Sequence, residues 1–434
     1  MFKPPLSRFG LACLSAAACA LLALPALADS QARIVRLSDV QGSVQIDKNT
    51  GIGFENAFVN LPVTQGTELK TLENGRAEVE FEDGSTLRLA PGSSIQFGTL
   101  GLSDSGKRIS VIRLQEGMTY INWLGKSGDE FSLTFSQETL KLDHAAHFRV
   151  DASAEAANLA VFKGEVEVQG PSDKIIVGKK KTATFNPVDD DLYTLANDIR
   201  EAPLDSWDKE AIAYHEQYAK NNSSPYGYGA SDLGYYGNYT SVPGYGMMWQ
   251  PYFTGVGWDP FMDGAWTWYP GFGYMYASAY PWGWLPYRYG NWMLIPGFGW
   301  MWQPGGWNNW LTVPRYTGTG VVRVHPLVAP AGSVGTVVVG KGGPRPVLSP
   351  SRVVLSSGSA GMGIPRGSIG SLGHLNSQVA KNGSVVVHPS APFSATSGRA
   401  SSFGGGHSGF SSSSSSGHSA SSSGGHSSGG GSHR

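Results

Sequence analysis

The residues of this chain that could do chemistry are few and badly spaced for it. His144 and His147, in the stretch "DHAAH", stand three apart. The surrounding alternation is that of a strand, where such residues point to opposite faces, so a shared metal is not expected. Asp189, Asp190 and Asp191 form an acidic run, but calcium loops need further oxygen ligands at set spacing; the run reads as a solvated linker turn. His407, His418, His426 and His433 are separated by seven or more residues and define no site. There is no phosphate loop and no His-Glu-x-x-His motif, and no motif implies a cofactor. Cys13 and Cys19, the two cysteines, both lie in the N-terminal apolar run, which leaves the rest of the chain without a thiol nucleophile or a disulfide. Enzymatic function is not expected.

Aromatic side chains are the remaining candidates. Of 13 Trp, all but Trp123 and Trp207 fall between Tyr226 and Tyr316. Trp258, Trp284 and Trp307 each follow a glycine directly, in a turn expected to project the ring, and are the candidate ligand-binding residues: exposed indoles stack on sugar rings. The competing reading is structural. Short repeats without disulfides need large apolar side chains merely to fold.

The elements that must position these residues differ along the chain. "MFKPPLSR" followed by "FGLACLSAAACALLALPALADS" reads as a secretory signal peptide, residues 1–28, cleaved between Ala28 and Asp29. An uncleaved membrane anchor is the alternative. No later stretch is apolar for long enough to span a bilayer, which places the chain in the periplasm or outside the cell. Net charge is -1, but beyond Asn221 ten basic residues face three aspartates and no glutamate. The neutral balance gives no bias toward nucleic acid.

From 33 to 186 the pattern has period two, which predicts a β domain. In "AEVEFEDGSTLRLA", Val79 and Phe81 alternate with Glu78, Glu80 and Glu82, an Asp83-Gly84 turn follows, and Leu87 and Leu89 alternate on the return: one apolar face, one wet. "GSVQI", "GMTYI" and "GEVEV", from Gly42, Gly117 and Gly164, repeat a glycine before a new strand, which suits a meander or a β-roll. Residues 187–225 form a linker with one amphipathic helix, its stripe Leu204, Trp207, Ala211, Tyr214 and Tyr218 expected to pack on the β domain. Between 226 and 316 three phrases recur, "GNYTSVPGYGMMWQP", "GAWTWYPGFGYMYAS" and "GNWMLIPGFGWMWQP", from Gly237, Gly264 and Gly290. They predict small aromatic β-repeats, each covering its neighbour, with hairpin corners at Tyr245, Phe272 and Phe298. Residues 317–400, rich in Gly, Val, Pro and Ser, are expected to be loosely ordered, and 401–434 to be a disordered Ser/Gly/His tail. The fold class is mainly β.

"LPVTQGTELKTLENGRAEVEFEDGSTLRLAPGSSIQF", then "VIRLQEGMTYINW", "HFRVD" and "AVFKGEVEVQG", resembles the FecR-like domain of bacterial envelope proteins. The cues are Gly66 before Leu69-x-Thr71, Arg76-Ala77-Glu78, Asp83-Gly84-Ser85, Pro91 and the late "FKGEVEV". The repeats after it resemble an uncharacterised aromatic-repeat domain that often follows such modules. The resemblance implies an all-β, protein-interacting module of β-roll or solenoid form. In the family's founding members the domain relays the state of an outer-membrane siderophore receptor to a cytoplasmic sigma factor. Here only eight residues precede the apolar segment, so that role is not carried over. The expected function is an exported binding or scaffold protein whose partner is an envelope protein; the alternative is a cell-wall or extracellular glycan.

Overall fold

The computed structural model describes residues 33–125, 128–170, 173–186, 193–221, 227–307, 335–339 and 353–388. The signal segment with Ala28 and Asp29, Asp189–Asp191 and the tail histidines lie outside them.

Alternating apolar residues from 33 to 196 build two sheets joined through one long strand, Arg108–Trp123. Residues 108–116 of that strand pair with Ser94–Leu102 in the first sheet. Residues 117–123 pair with Thr86–Leu89 and Ala146–Ala152 in the second. Pairing is antiparallel except between Glu130–Phe135 and the start of the long strand. Val35, Val79, Leu87, Phe97, Leu133, Phe148 and Val161 are buried in the space between the sheets. The structure is an open β-roll with no closed barrel.

The recurring glycines sit where the chain passes from one sheet to the other. Gly42 separates Val35–Gln41 in the second sheet from Val44–Asp47 in the first, and Gly164 separates Ala157–Lys163 from Glu165–Gln169 in the same way. Gly117 is the corner within the long strand. All three have positive φ (66°, 79° and 85°), and a Cβ at Gly42 would lie 2.0 Å from the Asn74 carbonyl oxygen. Only glycine tolerates both the left-handed turn and the backbone approach.

Helix α1, Asp205–Tyr218, lies on the outer face of the second sheet and buries Trp207 and Tyr214 from the expected stripe. Trp207 meets the Tyr120 ring edge-on at 6.4 Å and carries the Arg76 guanidinium 5.4 Å above it. Two further helices follow where the sequence predicted none: α2, Ala230–Tyr236, and α3, Leu372–Asn382.

The three repeats are three hairpins, Gly237–Pro251, Gly264–Ser278 and Tyr289–Trp307, with their turns at Tyr245, Phe272 and Phe298 as expected. They do not stack in sequence order. The first and third join edge to edge through Trp249 and Trp302, whereas the second pairs with Thr336–Val339. Chain adjacency did not decide the matter, because a flat aromatic face can be covered by any element that reaches it. Part of the 317–400 segment is likewise built into the fold: Val353–Ser356 and Ser384–Val387 pair across α3, and Leu355, Ala360, Ile364 and Val379 are buried in the aromatic core. Branched apolar residues spaced widely in the sequence suffice here, because the core they join is already supplied by Trp and Tyr.

Candidate functional site

The ionisable residues converge on the outer face of the strand Arg76–Glu80, which the alternation had marked as wet. Glu78, Glu80, Arg36 and Arg88 project there and are at most 2% exposed, because α1, α2 and the 357–370 loop cover them. Burying a charge is costly unless it is paired, and here each is. Glu78 accepts from Arg88 Nε at 2.8 Å, Arg366 Nη1 at 2.8 Å and Ser38 Oγ at 2.6 Å, and lies 3.0 Å from His215 Nε2. Asp232 of α2 accepts from Arg366 Nε and Nη2, at 2.9 and 2.7 Å, and pairs with Arg36 at 2.6 Å. The Tyr214 hydroxyl donates to it at 2.8 Å. Glu80 pairs with Arg36 at 3.1 Å and accepts the Gly229 amide at 2.9 Å.

A second group lies at the start of α1. Asp208 receives Arg88 Nη1 at 2.7 Å and faces His147 Nε2 at 2.6 Å. Asp205 is held by the Arg149 guanidinium and the Tyr120 hydroxyl. His147 thus serves the helix, while His144 is exposed and pairs with Asp143; the two are not brought together. Among the described residues no group of three or more His, Cys, Asp or Glu could hold a metal.

Burial and pairing compete in setting the protonation of this cluster. Burial raises Glu78, but His215, Arg88 and Arg366 outweigh it and hold its carboxyl well below the usual range. Asp232 is lowered likewise, burial being overcome by Arg366 and Arg36. For Glu80 burial wins, with Asp232 and Glu78 adding to it, and the carboxyl is raised. Asp39, at the edge of the cluster, is raised mainly by burial.

The candidate tryptophans are inside. Trp258 is 5% exposed and Trp284 is fully buried, which corrects the expectation that Gly-Trp turns present them to solvent. Gly257, at φ 86°, delivers Trp258 into the core, where its indole N–H donates to the Tyr280 hydroxyl at 3.1 Å. Trp284 lies under the Arg288 guanidinium at 4.8 Å and against Tyr228. An indole has too much apolar area to leave on a turn when a core is within reach. Trp307 ends its strand, and its side chain lies outside the described ones. Trp282 is the centre of this core, stacked on Tyr280 at 5.0 Å and close to Trp249 and Trp292.

A cleft of about 250 Å³ opens beside α1, lined by Ala90, Pro91, Gly117, Met118, Asp151, Pro203 and Leu204. Among the described residues Asp151 is its one ionisable group.

Sequence reasoning missed the ionic cluster because alternation says which face is polar and not what covers it. The nearest available signal was the Glu78–Arg88 pair, directly opposite across the hairpin. Arg366 carried no signal.

The fold and this interface define a mainly β protein of two modules, a roll and an aromatic hairpin assembly, sealed by a buried ionic cluster. The roll contains a FecR domain: the FecR protein family matches residues 67–167. A family of unknown function, DUF6600, matches residues 230–329, which begin at α2 and include the three hairpins. Two crystal structures of a candidate anti-sigma factor from Parabacteroides distasonis are similar to part of the chain. The first has 22% identity and TM-score 0.28, covering 32% of this chain and 63% of that one. The second has 19% identity and TM-score 0.29, covering 34% and 71%. This chain therefore spans just under two thirds of the first relative's length. No curated relative matches the chain.

Proposed function

We propose that this is an exported, non-enzymatic interaction or scaffold protein of the cell envelope, in which the FecR domain contacts an envelope protein and the aromatic module braces it. The FecR match at 67–167 carries the reading. Two further features support it. Buried acids and bases are held in ion pairs that cross between the modules, Arg36–Asp232 and Arg366–Glu78, and among the described residues the cleft beside α1 offers one carboxyl with no second group for acid-base work. Export rests on the N-terminal apolar segment and its Ala-x-Ala ending; among the described residues no helix is long and apolar enough to cross a membrane. The glycan-binding alternative loses two of its three candidate residues, Trp258 and Trp284, to the core.

The test is in-cell crosslinking from sites placed on the exposed face of 67–167, followed by fractionation. The reading requires a chain recovered in the envelope fraction, starting at Asp29, with crosslinks from 67–167 to one envelope protein. Retention on insoluble peptidoglycan without such a crosslink would favour the glycan alternative. Recovery in the cytoplasm with the N-terminus intact would overturn the proposal.

A further inference from the structure

The two ends of the roll are finished differently. At the end nearest the N-terminus the second aromatic hairpin forms a cap: the Tyr269 hydroxyl donates to the Pro62 carbonyl at 2.7 Å, and Asn60 Nδ2 donates to the Ser278 and Tyr280 carbonyls at 3.0 and 2.7 Å. Arg36 Nη2 adds a bond to the Pro281 carbonyl at 2.7 Å. At the other end, among the described residues, nothing caps the sheets. Among those residues Lys174–Gly178 pairs only with Glu165–Gln169, and Tyr193–Ala196 only with Lys181–Phe185. A two-residue turn joins Gly178 to Lys181, so both edges lie at one end. Tyr193 and Leu195 stand opposite the buried Phe185 and Ala183 and continue the core face, yet they are 42% and 44% exposed; Ile176 is 60% exposed.

We propose that this open end is the contact by which two copies of the chain form a two-fold dimer, through antiparallel pairing of Lys174–Gly178 with its own copy about Ile176. The sequence of the edge carries the choice of occupant. An antiparallel pair centred on Ile176 sets Ile175 opposite Val177, both on the core-facing side, and Lys174 opposite Gly178. It also sets Asp173 of one copy opposite Lys179 of the other, an opposite-charge pair made twice by the two-fold axis. No like charges meet along this register. Lysine on an edge strand normally discourages such pairing, but Lys174 is drawn to Glu167 of the neighbouring strand at 2.8 Å, which leaves an uncharged Ile-Ile-Val centre. The ladders at this end are all antiparallel, so a two-fold copy continues them without a change of pattern. Tyr193 and Leu195 lie on the adjoining edge, beside the seam.

Sedimentation equilibrium of the purified full chain at several concentrations tests this. Wild type is expected to dimerise, and Ile176→Lys, which sets two ammonium groups across the axis, to weaken the dimer by at least about tenfold. Asp173→Lys is expected to weaken it severalfold at low salt, and the double variant Asp173→Lys/Lys179→Asp to restore it. That rescue separates a lost contact from a misfolded chain. A wild type that stays monomeric throughout, a dimer indifferent to Ile176→Lys, or failure of the charge swap to rescue would overturn the proposal.

Discussion

At the residue scale, neighbouring glutamates on one strand are expected to behave oppositely. Glu78 is held below the usual carboxylate range, so its stabilisation is present above that range and is lost as pH falls through its lowered folded value. Glu80 is raised, so its contribution is greatest below the range and declines as pH rises through its raised value. Glu78→Gln should therefore cost about 3 kcal/mol at pH 7, since it removes the buried carboxylate that Arg88 and Arg366 share and leaves each with one carboxylate partner, Asp208 and Asp232, and the deficit should shrink on acidification. Glu80→Gln removes a charge that burial disfavours and keeps an oxygen to accept the Gly229 amide, so it should cost only about 1 kcal/mol at pH 7. Urea unfolding from about pH 2 to pH 8 measures both, and a larger cost for Glu80→Gln at pH 7 would contradict the argument. Trp282→Ala removes the most central indole and should cost about 3–5 kcal/mol by the same measurement. If Trp282→Ala were nearly neutral, the aromatic cluster would not be the core that its burial describes.

At the element scale, each repeat carries glycines of two kinds. Gly237, Gly264 and Gly290 open the hairpins, and a Cβ at Gly264 would sit 2.2 Å from the Tyr276 hydroxyl oxygen and 2.7 Å from the Ala277 carbonyl. Gly271, in the turn, has φ 77° with nothing within 4 Å of such a Cβ. Gly264→Ala must push strands apart and should cost about 3 kcal/mol, whereas Gly271→Ala bears only backbone strain of about 1–2 kcal/mol. Comparison of the two unfolding midpoints decides it; equal losses would mean that the close approach relaxes easily. The repeated phrase was thus legible as hairpins, corners included, because turn chemistry is local. The pairing of first with third hairpin was not, because edge choice depends on which strands meet after folding.

At the scale of the whole molecule, Arg366 acts as a clasp. It reaches Glu78 in the roll and Asp232 on α2, and its own charge is held firmly by them against the cost of burial. The two modules should therefore unfold in one transition, reported alike by far-ultraviolet circular dichroism and by tryptophan fluorescence. Arg366→Met should lower stability by about 3 kcal/mol and speed proteolysis between 197 and 229. Separate transitions in the wild type would show that the ionic cluster does not couple the modules.

The sequence by itself determined the β class, the period-two strands, the helix stripe, the hairpin turns and the resemblance to a FecR module. Those depend on spacing within a dozen residues, where backbone geometry dictates which side chains share a face. Tertiary structure alone decided that the polar face of Glu78, Glu80 and Arg88 is interior, that Trp258 and Trp284 are core, and that Arg366, 288 residues from Glu78, completes the cluster. Alternation separates the two faces of a strand, but whether the polar face meets water or a second module depends on elements hundreds of residues away. Only the folded chain brings those charges within pairing distance.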